Sequence, residues 1–189
     1  MSKILIRLPR SRFVEELGRD VLLGKFEKHF VKDPSKAFSD KKATIKPEHL
    51  TGTGGFTQNK EKYLVFDSDW LDSYKRLKRL AQIISLKDIG RIITLLGITK
   101  DSVVVESGAG SGAATVYLAH VAKQVHTYEI AKEHLEVAQE NADILGANNA
   151  SFYHKDIYDK ANVKAHEADA FLLDVPEPVK ALQSVTKAL

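Results

Sequence analysis

The sequence of 189 residues has no cysteine. Disulfides, thiol nucleophiles and metal sites with thiolate ligands are therefore excluded. Long apolar runs are also lacking, and the N-terminal segment MSKILIRLPR does not have the apolar stretch of a signal peptide. No segment approaches the roughly 20 apolar residues that a membrane-spanning helix needs. We therefore expect a soluble, cytoplasmic protein that does not enter a membrane.

The charge of the chain is modest and mixed in sign. Apolar residues make up 43% of the chain and charged residues 28%, which indicates a folded core rather than disorder. The net charge of +3 permits a polyanionic partner without requiring one. No metal site is expected, because the spacing typical of metal ligands is absent from His126, His134, His154 and His166.

The N-terminal part of the chain has a different pattern from the rest. Over 1–70, short apolar runs are interrupted by glycine, proline and polar clusters such as KDPSK and TGTGGF. This spacing predicts a small β-rich domain. Apolar positions at helical spacing then predict a helix over 71–84, and KDIGRIITLLG predicts a second helix that ends at Gly97.

From residue 101 onward, predicted strands and helices alternate. The strands are expected over 102–106, 124–129, 151–154 and 169–173, and the helices over 112–122, 132–145 and 178–189. Alternation of this kind, with continuously apolar strands, is typical of a parallel sheet covered by helices on both faces. We therefore predict a Rossmann-like, doubly wound α/β domain over 71–189.

A glycine-rich turn lies between the first strand and the first helix of this alternation. In VVVESGAGSGAA the strand ends at Glu106, and Gly108, Gly110 and Gly112 follow at alternate positions. Ligands of open α/β sheets bind beside the carboxyl ends of the strands, where glycine lets the backbone approach them closely. The alternative is that the glycines only make a turn from strand to helix. We favour the ligand site. Glycine loses more conformational entropy on folding than any other residue, so three glycines would be unfavourable here unless a ligand had to approach the backbone.

The spacing of the glycines and the acidic residue before them indicate the type of ligand. A dinucleotide site has the pattern G-x-G-x-x-G and places a pyrophosphate at the helix N-terminus. The spacing here is G-x-G-x-G, and the carboxylate of Glu106 would repel a pyrophosphate. It would suit the sulfonium or the amino group of S-adenosylmethionine. The pattern therefore favours S-adenosylmethionine over a nicotinamide dinucleotide as cofactor.

Three more carboxylates follow predicted strands. Glu129 comes about 20 positions after the glycine turn, a spacing at which an acidic residue can bind ribose hydroxyls. Asp156 could accept a hydrogen bond from adenine while Ile157 packs on the ring, although an Asp at this place often only caps a turn. Asp174 ends an apolar strand and precedes VPEP, so it could hold an amino group of the substrate and take a proton from it. The alternative for Glu129 and Asp174 is a solvated side chain at a strand end.

Together these stretches resemble the tRNA (adenine-N1)-methyltransferase family, which modifies an adenine in the T-loop of tRNA. KRLAQIISLKDIGRII is similar to the segment before the first strand of that family, and VVVESGAGSG to its cofactor loop. VHTYEI, KDIYD and FLLDVPEP follow in the expected order, and the last resembles the Asp-x-Pro-x-Pro element of the family. The resemblance spans most of the chain and is looser over 1–70. It implies a class I methyltransferase that depends on S-adenosylmethionine.

The resemblance also implies the roles of individual residues. Those expected to bind the cofactor are Gln82, Ile83, Glu106, Ser107, Gly108, Gly110, Ser111, Gly112, Glu129, Asp156, Ile157 and Asp174. Asp174 would in addition be catalytic, because it would hold the target adenine by its amino group and act as the base. The adenine would have to flip out of the tRNA, since its N1 faces its pairing partner. The implied partners are therefore tRNA and further copies of the chain, which the family assembles into a tetramer.

The chain departs from the family at two places. Ser85 and Leu86 stand where members commonly have an aromatic residue or histidine followed by proline. The chain also ends at Leu189, before the roughly two or three further strands that complete the sheet in this fold class. We expect the C-terminal part of the domain to be missing or to be supplied by another chain.

Two alternatives to methylation of adenine N1 in tRNA stay open. One is a non-catalytic subunit that binds RNA or acts as a scaffold, although such subunits usually lose the glycine loop that this chain keeps. The other is a methyltransferase of the same fold with a different substrate. The β-rich N-terminal domain and the run DVPEP argue against it.

Overall fold

The computed structural model describes residues 2–189, which fold as two compact units. The first unit ends at Ser73, and the second runs from Tyr74 to Leu189. The sequence predicted a boundary between residues 70 and 71. Each unit encloses buried apolar side chains of its own.

The first unit consists mainly of antiparallel strands. Its elements are β1 (Lys3–Arg7), β2 (Arg10–Val14), β3 (Arg19–Gly24), β4 (Glu27–Val31), β5 (Phe38–Ser39), β6 (Thr44–Ile45), α1 (Pro47–Leu50), β7 (Gly54–Gln58) and β8 (Glu61–Asp67). Four strands form a sheet in the order β4-β1-β8-β7, whereas β2 pairs with β3, and β5 with β6, in separate hairpins. The predicted β-rich character of the N-terminal part is confirmed.

Local sequence explains the shape of this sheet. The hairpin between β7 and β8 turns at Asn59 and Lys60, which both have positive φ, 52° and 64°. A two-residue hairpin loop of this type needs two such residues, and Asn adopts the conformation more readily than most. One face of the sheet covers a core whose buried members are Leu5, Val31, Ile45, Leu50, Tyr63 and Val65.

The second unit is a parallel sheet with helices on both faces. Its elements are α2 (Trp70–Tyr74, across the boundary), α3 (Leu86–Leu95), β9 (Val103–Ser107), α4 (Ala113–Val121), β10 (Gln124–Glu129), α5 (Lys132–Leu145), β11 (Ala150–His154), β12 (Ala170–Leu173) and α6 (Leu182–Ala188). The strand order is β11-β10-β9-β12, and all neighbours are parallel. The chain therefore builds the sheet outward from β9 in one direction and then returns to the other side of β9 with β12. The predicted doubly wound fold is confirmed.

Alternate residues of β9 face opposite sides of the sheet. Val104 is buried in a cluster with Leu118 of α4, whereas Val105 is buried in a cluster with Ala188 of α6. A strand that is covered on both faces needs apolar residues at successive positions, which explains the run of valines. The same alternation decides where Glu106 points, as described below.

The predicted helix over 71–84 is wrong beyond Tyr74, where α2 ends. The segment 75–85 is irregular, and Leu80 is 52% exposed although its spacing suggested a buried helical face. Side chains from distant parts of the chain bind the backbone of this segment, which replaces the hydrogen bonds of a helix. The next helix, α3, begins after Ser85, whose side chain accepts a hydrogen bond from Asp88 N. It ends just before Gly97, which has the positive φ of 62° common after helices.

The C-terminal segment begins with a 3-10 turn at Pro178–Ala181 and continues as α6, so the predicted helix over 178–189 is confirmed in its second half. Within residues 2–189, no helix combines the length and the apolar character needed to cross a bilayer.

Candidate functional site

A cleft of about 640 Å³ opens in the second unit beside the carboxyl ends of the parallel strands. It lies at the ends of the neighbouring strands β9 and β12, where the direction in which the chain adds strands to the sheet reverses. Open α/β sheets bind their ligands at this place, and the volume suits a molecule of cofactor size. The predicted site residues that line the cleft are Gln82, Ile83, Ser107, Gly108, Gly110, Glu129, Asp156, Ile157 and Asp174.

The glycine turn, residues 108–112, lets the backbone pack closely against two neighbouring elements. Gly108, Gly110 and Gly112 have positive φ values of 90°, 55° and 73°, which favour glycine. A Cβ on Gly108 would overlap the carbonyl oxygen of Asp174, and one on Gly112 would lie 2.8 Å from Cα of Ala138. The turn therefore packs against the end of β12 and against α5. Gly112 contributes to this packing and is not among the residues that line the cleft.

Glu106 is buried below the cleft. Its side chain lies on the same face of β9 as Val104, toward α4, because side chains alternate along a strand. The carboxylate accepts a hydrogen bond from the hydroxyl of Thr115 at 2.6 Å, and the residue is 1% exposed. Burial raises the pKa of Glu106 to about 7, the Thr115 hydroxyl opposes the rise, and the nearby carboxylates of Asp174 and Glu129 add to it. Glu106 thus lies beneath the glycine turn and is not among the residues that line the cleft.

Ser111 has its hydroxyl turned toward the segment that precedes α3. Its Oγ accepts hydrogen bonds from the backbone N–H groups of Leu80 and Ala81, at 2.9 and 3.0 Å, and can donate one to the Ala81 carbonyl. Ser111 borders a small cavity that adjoins the cleft and is shared with Gln82 and Ile83. Ser111 therefore lies close to the cleft and binds the backbone of the segment that forms one of its walls.

Glu129 is held rigidly at the end of β10. One carboxylate oxygen accepts a hydrogen bond from Gly110 N and the other from Ala131 N, both at 2.9 Å. The carboxylate has about four acceptor positions, so roughly two remain for a ligand. The side chain is therefore fixed between the glycine turn and α5 while it lines the cleft.

Asp156 makes the turn that the sequence left as an alternative, and it also lines the cleft. Its Oδ1 accepts a hydrogen bond from the backbone N–H of Tyr158 at 2.9 Å. Ile157 is 4% exposed and forms part of the cleft wall beside it. One Asp can thus cap a turn with one oxygen and offer the other to a ligand.

Asp174 is exposed at the mouth of the cleft, directly after β12. Its backbone N–H donates a hydrogen bond to the carbonyl of Ser107 at 2.9 Å, which continues the pairing of β12 with β9. The loop that follows is held by Tyr158, whose hydroxyl accepts a hydrogen bond from Glu177 N at 3.2 Å. Backbone contacts at both ends thus position the Asp174 carboxylate.

The cleft also includes residues that were not among the predicted site residues: Ser85, Asp88, Ile130, His134, Lys155 and Tyr158. Ile130, Lys155 and Tyr158 lie just beyond the ends of β10 and β11, so the rule that ligands bind at strand ends could have found them. Ile130 is 64% exposed, which is unusual for a large apolar residue. Ser85 and Asp88 lie just before and within α3 and not at the end of a strand, so this rule could not have found them.

Charge in the cleft is mainly negative. The carboxylates of Asp88, Glu129, Asp156 and Asp174 line it, with Lys155 as the one lysine or arginine among its lining residues in the described part of the chain. Such a cleft favours a ligand that carries positive charge and hydroxyl or amino groups.

A separate group of potential metal ligands in the first unit is better explained by ion pairs. The side chains of Glu27, His29 and Asp40 come close enough to share an ion. The buried guanidinium of Arg7 already pairs with Glu27 and lies 3.8 Å from Asp40. Hydrogen bonds from Arg7 are the largest cause that lowers the pKa of Glu27 to about 2. A cation in this position would have to displace the guanidinium.

Comparisons with known proteins agree with this arrangement. The family model described as tRNA methyltransferase complex GCD14 subunit matches residues 73–189. The chain is 28% identical over 203 residues to the tRNA (adenine(57)-N(1)/adenine(58)-N(1))-methyltransferase TrmI of Methanocaldococcus jannaschii, an alignment that covers 93% of this chain and 70% of that protein. It is 31% identical over 116 residues to the tRNA (adenine(58)-N(1))-methyltransferase TrmI of Thermus thermophilus, which covers 60% of this chain and 46% of that one.

The structure is similar to a solved relative along nearly its whole length. It matches the crystal structure of tRNA (m1A58) methyltransferase TrmI from Aquifex aeolicus with a TM-score of 0.74 and 29% sequence identity. The match covers 99% of this chain and 70% of that one. The chain therefore spans less than the full length of the relatives that it matches.

Proposed function

The chain belongs to the tRNA methyltransferase complex GCD14 subunit family, and we propose that it transfers a methyl group from S-adenosylmethionine to N1 of an adenine in the T-loop of tRNA. One observation carries the proposal. The second unit gathers Glu129, Asp156 and Asp174 around a single cleft at the strand ends of a class I methyltransferase fold. The curated relatives named above methylate adenine N1 in tRNA. The family predicted from the sequence is confirmed.

The groups in the cleft fit S-adenosylmethionine. Its sulfonium and amino group are cationic, and the cleft is lined mainly by carboxylates. Glu129 would bind the ribose hydroxyls with its remaining acceptor positions, and Asp156 would accept a hydrogen bond from the adenine amino group. Ile157 would pack on the adenine ring, and Gln82 and Ile83 would cover the cofactor from the opposite wall. When bound, S-adenosylmethionine supplies an electrophilic methyl group.

Asp174 is the residue that we assign to catalysis. Adenine N1 carries a lone pair and needs no proton acceptor to make it nucleophilic. The contribution of the protein is therefore mainly to hold the adenine in line with the methyl group. Asp174 would accept a hydrogen bond from the exocyclic amino group of the adenine. Methylation leaves the base cationic, and the carboxylate would stabilise that charge or take a proton from the amino group.

Ser85 has no ring that could stack on the target adenine. The side chain of Ser85 caps α3 and donates a hydrogen bond to Asp88 at 2.6 Å, and both residues line the cleft. Positioning of the adenine would then depend on Asp174 and on contacts with the tRNA rather than on an aromatic residue at this place.

We also infer that the chain associates with further copies of itself, as a tetramer in the form that the family resemblance implies. The hairpin β2–β3 and the residues after it carry exposed apolar side chains, namely Phe13, Leu17, Leu22, Leu23 and Phe26. A two-stranded hairpin that joins no larger sheet is marginally stable in water. Its charges are of both signs, with Arg12 and Arg19 close to Glu15 and Asp20, so two copies around a two-fold axis can pair opposite charges.

The proposed function is tested with an unmodified tRNA transcript. The protein and S-adenosylmethionine are incubated with the tRNA, which is then digested to nucleosides for mass spectrometry. We expect N1-methyladenosine from the wild-type protein, and its loss when the target adenine of the T-loop is replaced. Methyl transfer to another nucleoside, or tRNA binding without any transfer, would contradict the proposal. We also propose that the reaction takes place in the cytoplasm.

A further inference from the structure

Asn141 is a completely buried polar residue on α5. Its side-chain amide makes three hydrogen bonds to backbone groups that are far away in sequence. Oδ1 accepts one from Lys78 N at 3.0 Å, while Nδ2 donates to the carbonyl of Lys78 at 2.9 Å and to that of Ser111 at 2.8 Å. One side chain therefore binds both the irregular segment before α3 and the glycine turn.

Ser111 adds to the same connection from the glycine turn. Its hydroxyl accepts hydrogen bonds from Leu80 N and Ala81 N, so the two side chains together bind backbone groups at three of the four residues 78–81. This segment is not part of a helix or strand. It continues directly into Gln82–Ser85, and all four of those residues line the cleft.

We propose that Asn141 is a positioning residue that fixes one wall of the cofactor cleft to the glycine turn without contacting the ligand. The wall, residues 82–85, is anchored at its N-terminal side by these hydrogen bonds and at its other end by the start of α3. Loss of the Asn141 amide releases both bonds to Lys78 and the bond to Ser111. The wall then spends less time in the arrangement that accepts a ligand, and the apparent dissociation constant rises in proportion.

The identity of the ligand in this inference rests on the proposed function, whereas the anchoring itself does not. The experiment therefore has two readouts. Hydrogen exchange of the ligand-free protein measures the anchoring at the amides of Lys78, Leu80 and Ala81. Titration calorimetry with S-adenosylhomocysteine and steady-state kinetics with S-adenosylmethionine measure the consequence for the cleft.

Asn149 provides a matched control for Asn141. Its Nδ2 also donates to backbone carbonyls, those of Ala119 and Ala122 at 2.9 and 3.0 Å, but it does not line the cleft. Asn141→Leu and Asn149→Leu thus each remove side-chain hydrogen bonds to the backbone, at two different places in the same unit. Amides of β10 serve as an internal reference for the stability of the whole unit.

We expect Asn141→Leu to speed exchange over residues 78–85 by about tenfold or more while β10 keeps its protection. S-adenosylhomocysteine should bind about tenfold or more weakly, and KM for S-adenosylmethionine should rise by a similar factor with little change in kcat. Asn149→Leu should leave the exchange over 78–85, the affinity and KM at wild-type values. If Asn141→Leu does not fold, Asn141→Ala is used, because it removes the amide without placing a larger apolar side chain in the buried site.

Two results would overturn the inference. One is unchanged exchange over 78–85 in a folded Asn141 variant. The other is faster exchange there together with wild-type affinity and KM. If the wild-type protein itself does not bind S-adenosylhomocysteine, the proposed function fails, and the exchange data alone decide whether Asn141 anchors the segment.

Discussion

The carbonyl oxygen of Asp174 lies so close to Gly108 that a Cβ at that position would overlap it. The backbone N–H of Asp174 also donates a hydrogen bond to the neighbouring Ser107 carbonyl at 2.9 Å. The residue assigned to catalysis and the turn assigned to the cofactor are thus in direct backbone contact. Both residues line the cleft, so this contact forms part of its wall.

Gly108→Ala should therefore be harmful for two reasons. The new methyl group meets the Asp174 carbonyl, and the φ of 90° is unfavourable for alanine. We expect the free energy of unfolding to fall by about 2 to 4 kcal/mol and the affinity for S-adenosylhomocysteine to be lost. Denaturant unfolding and calorimetry measure the two effects.

Gly90 offers the matched control, because it lies within α3 and a Cβ there meets nothing within 4 Å. Gly90→Ala should raise the free energy of unfolding by about 1 kcal/mol through its helix propensity. Equal effects of the two substitutions would refute the role of the close contact at Gly108.

Asp174→Asn should separate catalysis from cofactor binding. Asparagine keeps the size of the side chain but cannot take a proton or neutralise the cationic product. We expect kcat to fall by about 10² to 10⁴ while the dissociation constant of S-adenosylhomocysteine changes by no more than a few-fold. Asp101→Asn, before β9 at the opposite edge of the sheet, is the control and should keep wild-type kcat. Wild-type turnover by Asp174→Asn would remove Asp174 from the mechanism.

Glu106 should make stability depend on pH in an unusual direction. Burial raises its pKa from 4.5 to about 7. Between these two pH values Glu106 is protonated in the folded protein and ionised in the unfolded chain. Between these values the unfolded state holds fewer protons, and stability falls as pH rises, by up to about 1.4 kcal/mol per pH unit. Below pH 4.5 the full contribution is present, and above about 7 it is lost.

Glu106→Gln removes this titration and retains an acceptor for Thr115. The free energy of unfolding, measured from pH 4.5 to 8, should fall for the wild-type protein relative to Glu106→Gln and level off near neutral pH. Parallel curves for the two proteins would show that Glu106 titrates in the same range folded and unfolded.

The hairpin β2–β3 should control self-association. Phe13 and Leu22 are 56% and 55% exposed, and replacing both by serine removes apolar surface without disturbing a core. Analytical ultracentrifugation should show a smaller assembly for Phe13→Ser/Leu22→Ser than for the wild-type protein. Leu95→Ser, at a residue that is 72% exposed on α3, should leave the assembly unchanged. If the size of the assembly is unchanged by the double substitution but reduced by Leu95→Ser, the contact between copies does not involve the hairpin.

The sequence predicted the parts of the fold that depend on local periodicity. The alternation of apolar strands and amphipathic helices after residue 101 identified the parallel sheet, because strands covered on both faces need continuous apolar runs. The carboxyl ends of those strands then predicted the positions of Glu129, Asp156 and Asp174 in one cleft, which the structure has.

Features that depend on distant contacts were not accessible in the same way. The segment 75–85 has apolar residues at helical spacing, yet its backbone is bound by Asn141 and Ser111, which follow it by more than 25 residues. Such contacts leave no periodic signal in the segment itself. The direction of Glu106 was accessible in principle, because alternation along β9 places it on the face of Val104.

The most direct test of the central claim is a crystal structure of the protein with S-adenosylhomocysteine. The account predicts the ligand in the cleft between the ends of β9 and β12, with its ribose hydroxyls bound to Glu129 and its adenine beside Asp156 and Ile157. A ligand bound at another place, or oriented so that its sulfur lies far from Asp174, would contradict it.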